Sequence, residues 1–274
     1  MKHALTLASV FCFLLSCRTS SGTFAPPRAL SGHSTAFPIQ GYWGGTSGRK
    51  MQIGVFHLTA THTDRRKIRS RTAGVGPRNV FFGRNRAVRT LYSQLLDFEA
   101  VGFDGVPVRV VATDEVNTEV INRINIPTGA GGSVRWADNT RQRIEFAGTV
   151  AYPTDSTTAK WQFAIGSNWQ TGMPPEEALE QGILTNEREL ILISPAMRTE
   201  VVNPDTGESV QLPGLVGRMQ IGYNFYEEDT LIGHLNSLDG KLWLEDSLSG
   251  QRKTLVCAVA VALLKRWSTN ELAR

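Results

Sequence analysis

The strongest pattern in this chain is its last apolar run, Leu255-Val256-Cys257-Ala258-Val259-Ala260-Val261-Ala262-Leu263-Leu264, set between Arg252-Lys253 and Lys265-Arg266. Wound as a helix, the run has no polar side, which marks a helix buried all round. It is too short to cross a hydrocarbon core, which takes about 20 residues. A strand competes as a reading, because Cys257 to Ala262 alternates Val and Ala. The length of the run and its charged ends favour a helix over Lys253 to Trp267.

Upstream the hydrophobic period is mostly two. Arg143 to Ala151 sets Ile144, Phe146, Gly148 and Val150 against Arg143, Glu145, Ala147 and Thr149. Ala159 to Trp169 sets Trp161, Phe163 and Ile165 against Lys160, Gln162 and Ala164. Met51 to His57, Val106 to Ala112, Glu119 to Ile126, Glu189 to Ser194, Thr199 to Val202 and Glu208 to Leu212 read as further strands. Gly217 to Glu227, Thr230 to Leu235 and Gly240 to Leu244 complete the set. Gly129 to Gly132, Pro153 to Ser156 and Asn203 to Gly207 are turns. Two segments read differently. Arg86 to Phe98 carries Val88, Leu91, Tyr92, Leu95 and Leu96 at three- and four-residue spacings, which predicts an amphipathic helix. Met173 to Leu179 predicts a short helix with proline near its start, acids in its first turn and Gly182 ending it. The chain is therefore mainly β (α+β), about 10–12 strands with two or three helices, arranged as a sandwich or a barrel.

The N-terminus changes the picture of where this protein works. Ala4 to Leu15 is an apolar segment of signal-peptide length, and Leu14-Leu15-Ser16-Cys17 follows. That ending resembles the bacterial lipobox, which implies cleavage after residue 16 and a diacylglyceryl group on Cys17. Residues 17–39, rich in Ser, Thr, Gly and Pro, read as a lipidated tether. A single domain then covers residues 40–274. Arg18 at the position after Cys17 is not the Asp of inner-membrane retention, so the expected address is the outer membrane, facing the periplasm. Cys257 is the one cysteine left inside the domain and reads as a small buried hydrophobe.

Net charge is only +4, but its distribution is uneven. Between Arg65 and Arg89 there are nine Lys/Arg and no Asp or Glu, with an expected turn at Thr72 to Pro77. Arg65, Arg66, Lys67, Arg69 and Arg71 form the densest part, a candidate site for anionic lipid or an anionic envelope polymer. Export argues against nucleic acid as the partner. The other candidates are weak. On an ideal strand His57 and His62 face opposite sides while His62 and Asp64 share one, too few co-facial ligands for a metal. Ser47-Gly48-Arg49-Lys50 matches S-x-x-K without its partner motifs. Glu227-Glu228-Asp229 reads as an acidic turn. Trp136, Trp161, Trp169 and Trp243 read as core or rim residues. No metal and no cofactor is expected.

The last third, IGYNFYEED, then LIGHLNSLDGKLWLED, then a basic turn and an apolar Ala/Val helix, resembles the end of the tubby C-terminal-like superfamily. That superfamily includes tubby proteins, phospholipid scramblases and plant LURP-one-related proteins. The resemblance implies a closed antiparallel β-barrel of about 10–12 strands whose interior is filled by the hydrophobic C-terminal helix, as a small barrel must be filled. A helix near residue 90 has no place in that scheme. The expected function is a lipid-anchored, non-catalytic envelope protein acting as a binding or scaffolding module. The alternatives are a lipid-binding or lipid-moving barrel with a basic rim, and an envelope hydrolase without a recognisable motif.

Overall fold

The computed structural model describes residues 27–41, 50–79, 83–127, 133–152, 160–173, 179–197, 200–202, 209–211 and 220–270. A 3-10 turn at Arg28–Leu30 leads into strands β1 (Ser34–Gln40), β2 (Gln52–Ile53), β3 (Phe56–Asn79), β4 (Gly83–Val101), β5 (Pro107–Pro127) and β6 (Ser133–Ala151). Then come β7 (Trp161–Gln170), β8 (Gln181–Thr185), β9 (Leu190–Met197), β10 (Glu200–Val202), β11 (Ser209–Gln211), β12 (Gln220–Glu227), β13 (Thr230–Asn236) and β14 (Lys241–Glu245). Helix α1 (Gly250–Asn270) ends the described chain. Twelve strands close into an antiparallel barrel in the order β1-β14-β13-β12-β9-β8-β7-β6-β5-β4-β3-β2, and β10-β11 form a separate hairpin. Barrel rather than sandwich is the outcome, and the helix runs inside it.

The helix fits because it is thin. Leu255 to Leu264 are each at most 1% exposed, and Ala258, Ala260 and Ala262 keep its diameter small. Around it stand Phe56, Leu96, Phe98, Val110, Phe146, Ile193, Phe225 and Leu244 in one continuous core. Removing that apolar surface from water supplies the main driving force, about 25 cal/mol per Å². The helix start is held at two points. Ser249 Oγ accepts the Arg252 N–H (3.2 Å), as an N-cap does. Thr254 Oγ1 accepts the Phe103 N–H (2.8 Å). A Cβ at Gly102 would stand 2.2 Å from Thr254 Oγ1, so this close approach requires glycine.

Four sequence expectations are corrected. Residues 86–98 are strand, not helix. Tyr92, Gln94, Leu96, Phe98 and Ala100 face inward by strict alternation, and Leu95 stays 41% exposed on the outer wall. The doublets Leu91-Tyr92 and Leu95-Leu96 mimic a helical stripe, but ladders to β3 and β5 on both sides decide the backbone. Second, the turn expected at 72–77 is strand, and the reversal falls between Asn79 and Gly83. A register irregularity between Val75 and Asn79 accommodates Pro77, which has no N–H for the ladder. Third, β1 lies within the stretch expected to be tether and pairs with β14, so the barrel begins before residue 40. The expected separate strands 106–112 and 119–126 are one, β5. The short helix expected at 173–179 falls mostly outside the described residues, and Gly182 belongs to β8.

Candidate functional site

Strand register assembles the most chemically distinctive surface of the molecule. Because Leu96, Phe98 and Ala100 point into the barrel, the odd-numbered residues of β4 point out. Arg65, Lys67, Arg69 and Arg71 of β3 pair with Leu95, Ser93, Leu91 and Arg89, and so share that outer face. Arg66 pairs with Gln94 and takes the other parity; its side chain lies outside the described residues. The ladders carry each row further. One row reads Arg71, Arg89, Glu119, Arg141, Gln170; the next reads Arg69, Leu91, Asn117, Arg143, Asn168. These two rows set five guanidinium groups against one carboxylate. At about 4.8 Å between strands they extend roughly 19 Å across the wall from β3 to β7.

Partial neutralisation comes from neighbours. Arg89 lies 3.6 Å from Glu119, and Arg143 pairs with Glu145 of the adjoining row. Arg65, Lys67, Arg69 and Arg71 are exposed, and none forms an ion pair with a carboxylate of the described residues. Between β4 and β7 the wall dips into a cleft of about 470 Å³ lined by Arg89, Asn117, Arg141, Arg143, Asn168 and Trp169, among others. Guanidiniums and amides facing solvent at this density bind carboxylate, phosphate or sulfate groups by bidentate and charge-assisted hydrogen bonds. The cations of the β3 part are legible in the sequence as a dense basic run. Arg141 and Arg143 are not, because only the ladders through β4 and β5 carry them onto the face of Arg69 and Arg71, about 70 positions earlier and three strands away.

The histidine and carboxylate candidates fall apart. Two bulges, between Leu58 and Ala60 and between Thr61 and Thr63, each insert one residue into β3 and reset its parity. His62 therefore reaches Glu99 (3.0 Å) on the outer face, while Asp64 accepts a hydrogen bond from Gln94 Nε2 (2.6 Å) on the inner one. The parity expected for His62 and Asp64 is reversed. Among the described residues no group of three His, Cys, Asp or Glu is placed to hold a metal ion. Glu228 and Asp229 form the expected turn: both have positive φ (46° and 65°) in the two-residue loop joining β12 to β13. Trp161 and Trp243 are buried, and the side chain of Trp136 is outside the described residues, as are Ser47 and the lipidation candidate Cys17.

A second polar cluster, unforeseen in the sequence, lies where α1 ends. Arg266 is fully buried; its Nη1 and Nη2 donate to the two carboxylate oxygens of Glu180 (2.8 Å each), and its Nε stands 3.0 Å from Asp114 Oδ1. Tyr223 donates its hydroxyl proton to Glu180 Oε2. Burial alone would lower the Arg266 pKa, but Glu180, Tyr223 and Asp114 more than offset this, and the group stays a cation. Burial pushes the Asp114 carboxyl up to about 6 against the pull of Arg266. The cluster ties the end of α1 to β5, to the residue just before β8 and to β12. Burial also lowers His234 to about 4, so the neutral ring hydrogen-bonds Asn224 Oδ1 through Nδ1 (2.6 Å). It raises the Cys257 thiol well above its usual range, which leaves that sulfur unreactive.

In comparisons with known proteins, no family model, no curated protein and no solved structure matches this chain.

Proposed function

We propose that this protein is a non-catalytic binding module of the bacterial envelope, held to the membrane by a lipid on Cys17 and engaging an anionic partner through the outer wall of β3–β7. The observation that carries the reading is the pair of register rows with five guanidiniums against one carboxylate. Each cation near an anionic surface contributes about 1 kcal/mol, and the attraction falls with added salt. The tubby-like relationship belongs to the same proposal, supported by a closed antiparallel barrel with a hydrophobic C-terminal helix inside it. A lipid-carrying barrel is the weaker alternative, because the side chains of Leu255 to Leu264 already occupy the interior at their level.

The test is direct. Arg69→Gln/Arg71→Gln should weaken binding to anionic vesicles or to an anionic envelope polymer by about 2 kcal/mol, roughly 30-fold, with an unchanged melting temperature. Equal affinity in wild type and variant would refute the site. Cys17→Ser should move the chain from the detergent phase to the aqueous phase; unchanged partitioning would refute the anchor.

A further inference from the structure

β3 has a neighbour on one side only over most of its length. Its ladder to β4 runs from His57 to Asn79, whereas among the described residues the other edge is bonded only from Phe56 to Leu58, by β2 and by the Met51 carbonyl. From residue 59 onward no strand and no backbone hydrogen bond of the described residues lies along the other edge, where alternate main-chain N–H and C=O groups point away from β4. The side chains of this edge are accessible too: Arg65, Lys67, Arg69 and Arg71 on one face, and Ile68, 70% exposed, on the other.

A long unpaired edge normally invites pairing with another copy of itself. Here that is blocked by charge. Antiparallel self-pairing about the midpoint of Lys67 and Arg69 sets Lys67 opposite Arg69 and Arg65 opposite Arg71, and like charges directly opposite are destabilising. Shifting the register by two residues still opposes cation to cation. The same array that rejects a second copy is complementary to a strand with an acid at every second position. Rejecting one partner and attracting another with the same residues is how charge produces specificity.

We infer that the free edge of β3, over residues 59–71, is a strand-addition site for an extended acidic polypeptide segment of a partner protein. The inference rests on the reading of this wall as anion-binding and narrows the partner to one with a backbone. The added strand hydrogen-bonds the edge through its amides, and its Asp or Glu side chains lie beside Arg65, Lys67, Arg69 and Arg71. Main-chain hydrogen bonds supply the attachment and alternate side chains the selectivity, as in other strand-addition complexes. A polyanion without amides can use the charges but not the edge.

That difference defines the experiment. The full-length chain in detergent is titrated against a fluorescent peptide of about ten residues, one strand length, alternating Glu and Thr. The same peptide N-methylated at every amide, and poly(acrylic acid) of matched charge, serve as controls. The expected result is a loss of at least about tenfold in affinity on N-methylation, and loss of peptide binding in Lys67→Glu/Arg69→Glu. Equal binding of the N-methylated peptide, or tighter binding of poly(acrylic acid), overturns strand addition and leaves the anion-binding reading standing. Failure of every anionic probe to bind overturns both. N-methylation alters the peptide rather than the protein, so its outcome does not depend on how a variant folds.

Discussion

The same four strands, β3 to β6, have two different lives along their length. In the lower half they surround α1: Phe98, Ala100, Val108, Val110, Phe146 and Val150 are all fully buried. Further up, over residues 65–71, both faces of β3 meet solvent, with Ile68 exposed on one side and Arg65, Lys67, Arg69 and Arg71 on the other. Length explains the difference. The 21 residues of α1 rise about 31 Å, while the 24 residues of β3 extend about 80 Å along the strand. A strand tilt of about 45° still leaves β3 outrunning the helix by about 25 Å. Where the helix reaches, the strands form a core wall; beyond it they form a two-sided sheet with a charged surface. Stability belongs to the first region, and the proposed recognition surface lies on the second.

Substitutions should divide along that line. Ala260→Asp, inside the helix, buries an unpaired charge and should unfold the domain, at a cost of several kcal/mol. A wild-type melting curve by circular dichroism would contradict the filled-barrel account. Arg266→Ala leaves Glu180 and Asp114 buried without their cation and should cost about 3–5 kcal/mol, read from denaturant unfolding.

Asp114 sharpens the boundary by pH. Its folded pKa of about 6 lies above its ordinary 3.8, so between these values the folded state binds the proton more tightly than the unfolded one. Its contribution to stability therefore falls as pH rises from about 4 to about 6 and stays lost above that, by about 3 kcal/mol in all. Asp114→Asn should flatten this part of the stability–pH curve relative to wild type; parallel curves would show that Asp114 does not titrate in this window.

The charged edge responds through association, with stability unchanged. Arg65→Glu/Lys67→Glu makes antiparallel self-pairing of β3 charge-complementary, because the carboxylates introduced at positions 65 and 67 then lie opposite Arg71 and Arg69 of the second copy. The variant should form a concentration-dependent dimer by sedimentation, dissolved by salt, with a melting point close to wild type. A monomer at all concentrations would mean that the edge is not open. The smallest effect is expected at Arg109, which donates to both oxygens of Asp97 (3.0 and 2.8 Å) on the exposed wall. Arg109→Ala should cost less than about 1 kcal/mol.

Much of the barrel was legible in the sequence because its signal is local. The alternation at Arg143 to Ala151 and Ala159 to Trp169, the paired turn residues at Glu228-Asp229 and the uniform apolar run before Lys265 each report their own environment over a short stretch. The strand at Arg86 to Phe98 was not legible as such. Its outer wall at this level carries Leu91 and Leu95, so both parities hold apolar residues and the period of two is erased. The bulges at residues 59 and 62 were equally silent, and with them went the parity of His62 and Asp64. Of the candidate surface, the dense cations of β3 could be read directly, whereas Arg141 and Arg143 joined them only through the ladder.

By itself the sequence determined that this is a mainly β protein with one helix buried all round, because periodicity and composition act over a few residues. It also set the local density of charge on β3. Only the tertiary structure decided which strands stand next to one another around that helix, that Arg266 enters the core beside Asp114 and Glu180, and that among the described residues β2 covers β3 only at its start. Those outcomes depend on which strands become neighbours and on how far each outruns the helix. Such pairings are chosen by burial and hydrogen bonding summed over the whole chain, and no single stretch of residues contains them.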